Sequence, residues 1–192
     1  MRIKKKKLDK GMFGYFTQEK KWTILRTVLY FALSLAIFLI GYITTKSKVN
    51  LMTVVAVLGC LPASKSAVNM IMFLKTKECS DKVYQTISQH GTNLTGLYDL
   101  YFTSYEHNFL INHMIVFSNT LCAYTEPEHK WKAEQFEKHI QKMALQDGKK
   151  DITVKLFTDL DKYVKRMDEA ESLVADQVQT ESLKHLLLSV SL

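Results

Sequence analysis

Apolar residues run without a charge from Thr27 to Thr45, nineteen positions with VLYFALSLAIFLIGYIT at their centre. A second apolar run follows from Val49 to Leu74, broken by one charge, Lys65. At the rise of an α-helix the first run reaches about 28 Å, close to the thickness of bilayer hydrocarbon. The part of the second from Val49 to Ala63 reaches about 22 Å, after which Pro62 permits a kink. Lys46-Ser47-Lys48 leaves room only for a tight turn between them. The pattern therefore predicts an α-helical membrane hairpin, two transmembrane helices lying side by side. The first run is too long for the apolar part of a signal peptide, and no small-x-small cleavage site follows it.

Beyond Leu74 the pattern changes to short amphipathic elements. Ser80 can cap a helix carrying Val83, Tyr84 and Ile87 that stops at His90-Gly91. Leu97 to Ser104, Phe109 to Phe117 and Thr120 to Thr125 are rich in aromatic and β-branched residues, with hairpin-length linkers between them. They predict three antiparallel strands, the middle one apolar on both faces and so buried on both. Pro127 can open a helix whose stripe is Ala133, Phe136, Ile140 and Met143, ending at Asp147-Gly148. Asp151 to Phe157 alternates as a fourth strand. Thr158 and Asp161 form a capping-box pattern before a helix with Leu160, Tyr163, Val164, Met167 and Val174 on one face. Thr180 to Leu192 is apolar enough for one more short helix. The expected fold is thus a membrane α-hairpin plus a small cytoplasmic α+β domain in the order helix-strand-strand-strand-helix-strand-helix. Its divisions are a basic tail (1–26), the hairpin (27–74) and a soluble domain (75–192).

Charge sharpens this picture. Residues 1–26 hold nine Lys or Arg against Asp9 and Glu19, and the hairpin adds three lysines and no acid. Since the whole chain carries +7, residues 75–192 are net acidic at −3. The basic excess belongs to the membrane end, which argues against a nucleic-acid partner for the domain and for a bilayer with anionic lipids. Lys4, Lys5, Lys6, Lys7, Lys10, Lys20, Lys21, Trp22 and Arg26 are the expected surface contacts, lysines for the anionic headgroups and the indole for the interfacial layer. The positive-inside rule places both termini in the cytoplasm of a multi-pass cell-membrane protein.

Within the hairpin, Lys65 is an intramembrane polar candidate, or a side chain that snorkels to the headgroups. Gly59, Ala63 and Ala67 recur on one helix face and let a helix approach closely, either the first helix or a second copy in a homo-oligomer.

Chemistry in the domain is sparse. Cys60, Cys79 and Cys122 have no disulfide or zinc spacing, and His107, His113, Cys122 and His129 have no ligand spacing. No phosphate loop or nucleophile elbow is present. Gly91, Gly96 and Gly148 read as caps or turns, and Tyr98, Tyr101, Tyr105 and Tyr124 as packing residues.

The order helix, three strands, helix, strand, with Asn112-His113-Met114-Ile115-Val116 and Leu121-Cys122-Ala123-Tyr124 as a central hairpin, resembles the restriction-endonuclease-like superfamily over residues 80–157. Its nuclease-related (NERD) branch is the nearest comparison. That resemblance implies magnesium held by carboxylates and a lysine that activates water. The family's aspartate falls on Asn112, its glutamate on Thr125 with Glu126 one place on, and its lysine on Pro127. Asp99, Asn112, His113 and Glu126 are the residues that would line a cleft, with no catalytic or metal set complete and no cofactor expected. Two functions follow as expectations: a membrane-tethered, non-catalytic domain for contact with a protein partner, or a diverged nuclease or nucleic-acid-binding domain.

Overall fold

The computed structural model describes residues 8–47, 50–126, 132–173 and 175–192. Two long helices come first, α1 (Tyr15–Thr45) and α2 (Leu51–Lys75), both apolar and long enough to cross a membrane. Then follow α3 (Asp81–Ile87), β1 (Thr95–Thr103), β2 (Asn108–Phe117), β3 (Thr120–Tyr124), α4 (Ala133–Gln146), β4 (Thr153–Phe157), α5 (Leu160–Glu171) and α6 (Gln177–Val190). The expected order is matched through α5, and the further short helix expected over Thr180 to Leu192 follows as α6, which that order did not include. Its apolar Leu183, Leu186 and Leu187 are buried and require that extra element.

The chain forms two compact units: Phe16–Thr76, and a domain made of Lys77–Leu192 together with the N-terminal segment ending at Tyr15.

In the first unit α1 and α2 pair as an antiparallel coiled coil of small residues. Gly59 lies against Ser34, and Thr27 Oγ1 is 2.8 Å from Ser66 Oγ. A Cβ at Gly41 would collide with that of Met52. The pairs 41/52, 34/59 and 27/66 step together by seven residues, a heptad register. Small side chains let the backbones approach, and the hydroxyl pair satisfies itself between the helices. Phe16 and Phe73 close the base of the pair edge to face, 6.1 Å apart. Lys20 Nζ donates to the Thr76 carbonyl at the end of α2 (2.7 Å). Pro62 lies inside α2 without ending it.

In the domain the strands form one sheet in the order β1-β2-β3-β4. The first three are antiparallel, while β4 runs parallel to β3. The parallel pair needs a crossover, which α4 supplies. One face of the sheet is covered by α4 and α6, through Phe136, Ile140, Ala144, Leu183 and Leu187. The other is covered by α3 and α5, through Val83, Ile87, Tyr163, Met167 and Ala170. β2 is buried on both faces.

Strand alternation changes phase once, in two strands at the same level. On the α4/α6 face β1 contributes Leu97 and then Leu100 and Phe102, while β2 contributes Phe109 and Ile111 and then Met114 and Val116. The step of three falls at Asp99 in one strand and across Asn112-His113 in the other. Asp99 has φ +53°, the left-handed region that Asp tolerates better than most residues. Because both strands shift, the register is the same on either side: Tyr98 pairs with His113 and Leu100 with Ile111.

Ser80 caps α3, and Gly148, at φ +77°, follows the end of α4. The cap of α5 is Asp159, one residue beyond Thr158, with Oδ1 accepting from the Asp161 and Lys162 amides. A carboxylate is the stronger acceptor there and favours the helix N-terminus electrostatically. Gly96 lies within β1, in a strand where a cap or turn was expected. Pro127, His129 and Val174 lie outside the described residues.

Candidate functional site

The phase change brings three of the four cleft candidates into one hydrogen-bonded ring. Asp99 is buried, its Oδ1 accepting the Cys79 amide (2.8 Å) and its Oδ2 the Gly14 amide (3.2 Å). Asn112 stands at the same level of β2, and its Oδ1 accepts the Glu126 amide (2.9 Å) just past the end of β3. Glu126 Oε1 then accepts the Ser80 amide (3.2 Å), beside Cys79. Each side-chain oxygen satisfies a backbone amide of a segment outside the sheet, the Cys79 amide being buried. Cys79 sits within this acidic ring. Burial first, and then the carboxylates of Asp99, Glu126 and Asp81, push its thiol up to about 12, so it is inert as a nucleophile near neutrality.

These contacts bear on the magnesium that the nuclease resemblance implies. A hard cation needs carboxylate oxygens aimed at a common point. Both oxygens of Asp99 are instead committed to backbone amides, and Asn112 holds the Glu126 amide. Among the described residues no group of three or more His, Cys, Asp or Glu is arranged to hold a metal ion. The residues do not fit the group.

His113, the fourth candidate, lies on the α5 face of β2. Its ring packs against Tyr98 (centroids 4.3 Å apart), and its Nδ1 is 2.7 Å from Tyr163 Oη. Burial lowers its pKa to about 3, so the ring is neutral at physiological pH. His107 lies elsewhere, near Gln135, and Cys122 is buried in the core under α5. Tyr101 and Tyr124 are buried packing residues, whereas Tyr105 is fully exposed at the tip of the β1–β2 hairpin.

The basic positions separate into different environments. Lys10 Nζ donates to the Leu188 (2.8 Å) and Ser191 (2.5 Å) carbonyls at the end of α6, and burial lowers its pKa. A lysine at a helix C-terminus meets the negative end of the helix dipole. Around it the segment before α1 docks onto the domain. The Tyr98 amide donates to the Gly11 carbonyl (2.7 Å), and Phe13 stacks on Tyr84 with centroids 4.0 Å apart. Lys21, Trp22 and Arg26 are exposed on α1 and Lys20 is half-buried against α2, while Lys4 to Lys7 lie outside the described residues. Lys65 is exposed on the outer side of α2, and the heptad register sets it level with Val28, at the start of the uncharged run of α1. Gly59 and Ala63 face α1 within the hairpin, and Ala67 is half-buried.

Sequence reading missed Tyr163 as the partner of His113, since Tyr163 reads as one more apolar stripe residue. It also missed Cys79, whose surroundings come from four separate segments. Comparison with protein-family models, with curated proteins and with solved structures found no match to this chain.

Proposed function

We propose that this protein is a two-span membrane anchor that holds a small, non-catalytic α+β domain at the cytoplasmic face for contact with another protein. The observation that carries this reading is the outer surface of the hairpin. Leu29, Leu33, Ile40, Ile43, Leu51, Leu58 and Leu61 all point outward, and Ile43 and Leu51 are 72% and 79% exposed. Contiguous apolar surface on this scale is not stable in water and matches a lipid environment.

Two further features support the arrangement. The segment holding Lys10, Gly11 and Phe13 packs in the same domain as residues 77–192, so both flanks of the hairpin belong on one side of any bilayer it crosses. The lysine and arginine excess before α1 favours the cytoplasm as that side. On this reading Lys65 lies near the inner boundary, where its stem can cover apolar surface while the amine reaches anionic headgroups alongside Lys21 and Arg26. The domain's best-placed carboxylates are spent on backbone amides, which favours presentation over catalysis.

Labelling of intact cells with a membrane-impermeant thiol reagent tests the reading, using single cysteines at Ser47 and Tyr105 in a background without the native three. Ser47→Cys should label in intact cells and Tyr105→Cys only after permeabilisation. Labelling of Tyr105→Cys in intact cells, or release of the protein by alkaline carbonate, would overturn it. A photo-crosslinker at position 105 should then give one reproducible protein adduct, and its absence would remove the partner.

A further inference from the structure

Gly96 leaves uncovered the one edge of His113 that the core does not reach. The histidine is 2% exposed, and its Nδ1 is engaged by Tyr163 Oη at 2.7 Å. The tyrosine hydroxyl has a second acceptor, the Cys122 carbonyl, at 3.4 Å. A hydroxyl has a single proton, and the imidazole nitrogen is both the nearer and the more basic acceptor. With that proton given to the imidazole nitrogen, the tautomer we assign carries the ring's own proton on Nε2. That atom has no hydrogen-bond partner among the described residues. A Cβ at position 96 would lie 2.8 Å from it, so any residue but glycine would close the approach.

The space that Nε2 faces is a cavity of about 200 Å³. Its floor is His113 with buried Ile87, Ile115 and Met167, and its rim includes exposed Ser88 and Thr92. Gly91, at φ +61°, also belongs to the wall, where a Cβ would lie 2.7 Å from the Met167 thioether methyl. Two glycines at which a side chain would strike the residues of one cavity keep that cavity open.

We infer that this cavity is a binding site for a small uncharged molecule about one ring in size, which accepts a hydrogen bond from His113 Nε2 and lays its apolar faces on Ile115 and Met167. Size follows from volume: an apolar cavity of roughly 150 Å³ admits benzene, whereas drug-sized sites start near 300 Å³. The lack of charge follows from the walls. The buried part offers one N–H donor and no counter-ion, and burial keeps the imidazole neutral. His90, at the rim, is already paired with Asp168 (3.0 Å). The inference does not depend on the membrane reading, since every residue in it belongs to the domain.

The test is nitrogen NMR of the full chain, labelled with ¹⁵N-histidine and held in nanodiscs, titrated with acetophenone and separately with ethylbenzene. The two compounds match in size and partition into lipid, and only the first has an acceptor. Acetophenone should move the His113 Nε2 resonance saturably, with an apparent affinity at least tenfold above that of ethylbenzene. Gly96→Ala should abolish the movement. No movement of His113 at millimolar acetophenone, an equal response to both compounds, or undiminished binding by folded Gly96→Ala would each overturn the site. Should Gly96→Ala fail to fold, the comparison of the two compounds on the unaltered protein decides alone.

Discussion

Asp99 and Asn112 stand at the same level of the β1–β2 ladder, and each gives a side-chain oxygen to the backbone of a different segment, Asp99 to Cys79 and Asn112 to Glu126. The pair ties neighbouring segments to the sheet where both strands exchange faces. Asp99→Val should be destabilising by about 3 kcal/mol or more, since it orphans one buried and one part-buried amide and forces a β-branched residue into the left-handed region. Asp99→Asn keeps one oxygen acceptor and tolerates that backbone, so about 1 kcal/mol is expected. Denaturant unfolding of the two variants measures the difference. Equal, small losses would mean that the carboxylate does not hold the ring.

Protonation of His113 should make the domain acid-sensitive. Its folded pKa, about 3, lies below the ordinary histidine value of about 6.5, so between these values the unfolded chain binds the extra proton. Stability attributable to this group is complete above about pH 6.5 and falls as pH drops toward 3, with a loss of about 2 kcal/mol at pH 5. Unfolding measured at pH 7.5 and pH 5 should show that loss, and His113→Gln should flatten this part of the profile. An unchanged slope in His113→Gln would assign the acid sensitivity elsewhere.

The hairpin register can be read by a disulfide. A Cβ at Gly59 would lie 3.7 Å from that of Ser34, within the usual range for a bridge of about 3.5–4.5 Å. Ser34→Cys/Gly59→Cys, in a chain without the native cysteines, should oxidise within one molecule to high yield. Moving one cysteine to exposed Leu58 should prevent it. A crosslink between two chains as the main product would place the small-residue face against another copy.

Lys10→Met should loosen the end of α6. The amine is half-buried and bonds two terminal carbonyls, and after allowance for solvent screening its removal should cost about 1 kcal/mol. Hydrogen exchange should quicken at the amides of Leu187 to Ser191 and remain unchanged in β2. An effect spread evenly over the domain would point to a general loss of packing.

Periodicity exposed most of this fold. The two uncharged runs, the three apolar strands and the stripes of α4 and α5 depend on neighbours in sequence, and these appear in the pattern itself. What stayed hidden depends on distant partners. Lys10 reads as one lysine in a basic run because its partners are the carbonyls of Leu188 and Ser191, far along the chain. Asp99 and Glu126 read as potential ligands because a carboxylate that accepts from backbone amides of another segment looks the same in sequence as one that faces a cleft. The cap of α5 was displaced by one residue because Thr158 and Asp159 are both competent, and local strand geometry chose the acid. His113 was visible as a polar break in an apolar strand, but its bond to Tyr163 and the opening left by Gly96 required the sheet and α5 together.

The docking of Lys10 onto Leu188 sets an order on biosynthesis. The two residues are separated by 178 positions. At about 5–20 residues per second, Lys10 waits roughly 10–35 s after its own synthesis before its partner is made. Both apolar helices are made within that interval, while the segment before them still lacks its partner on α6. Completion of the domain is therefore a late event that reaches back past both apolar helices to the segment before them, and a chain truncated before Leu188 would leave Lys10 undocked.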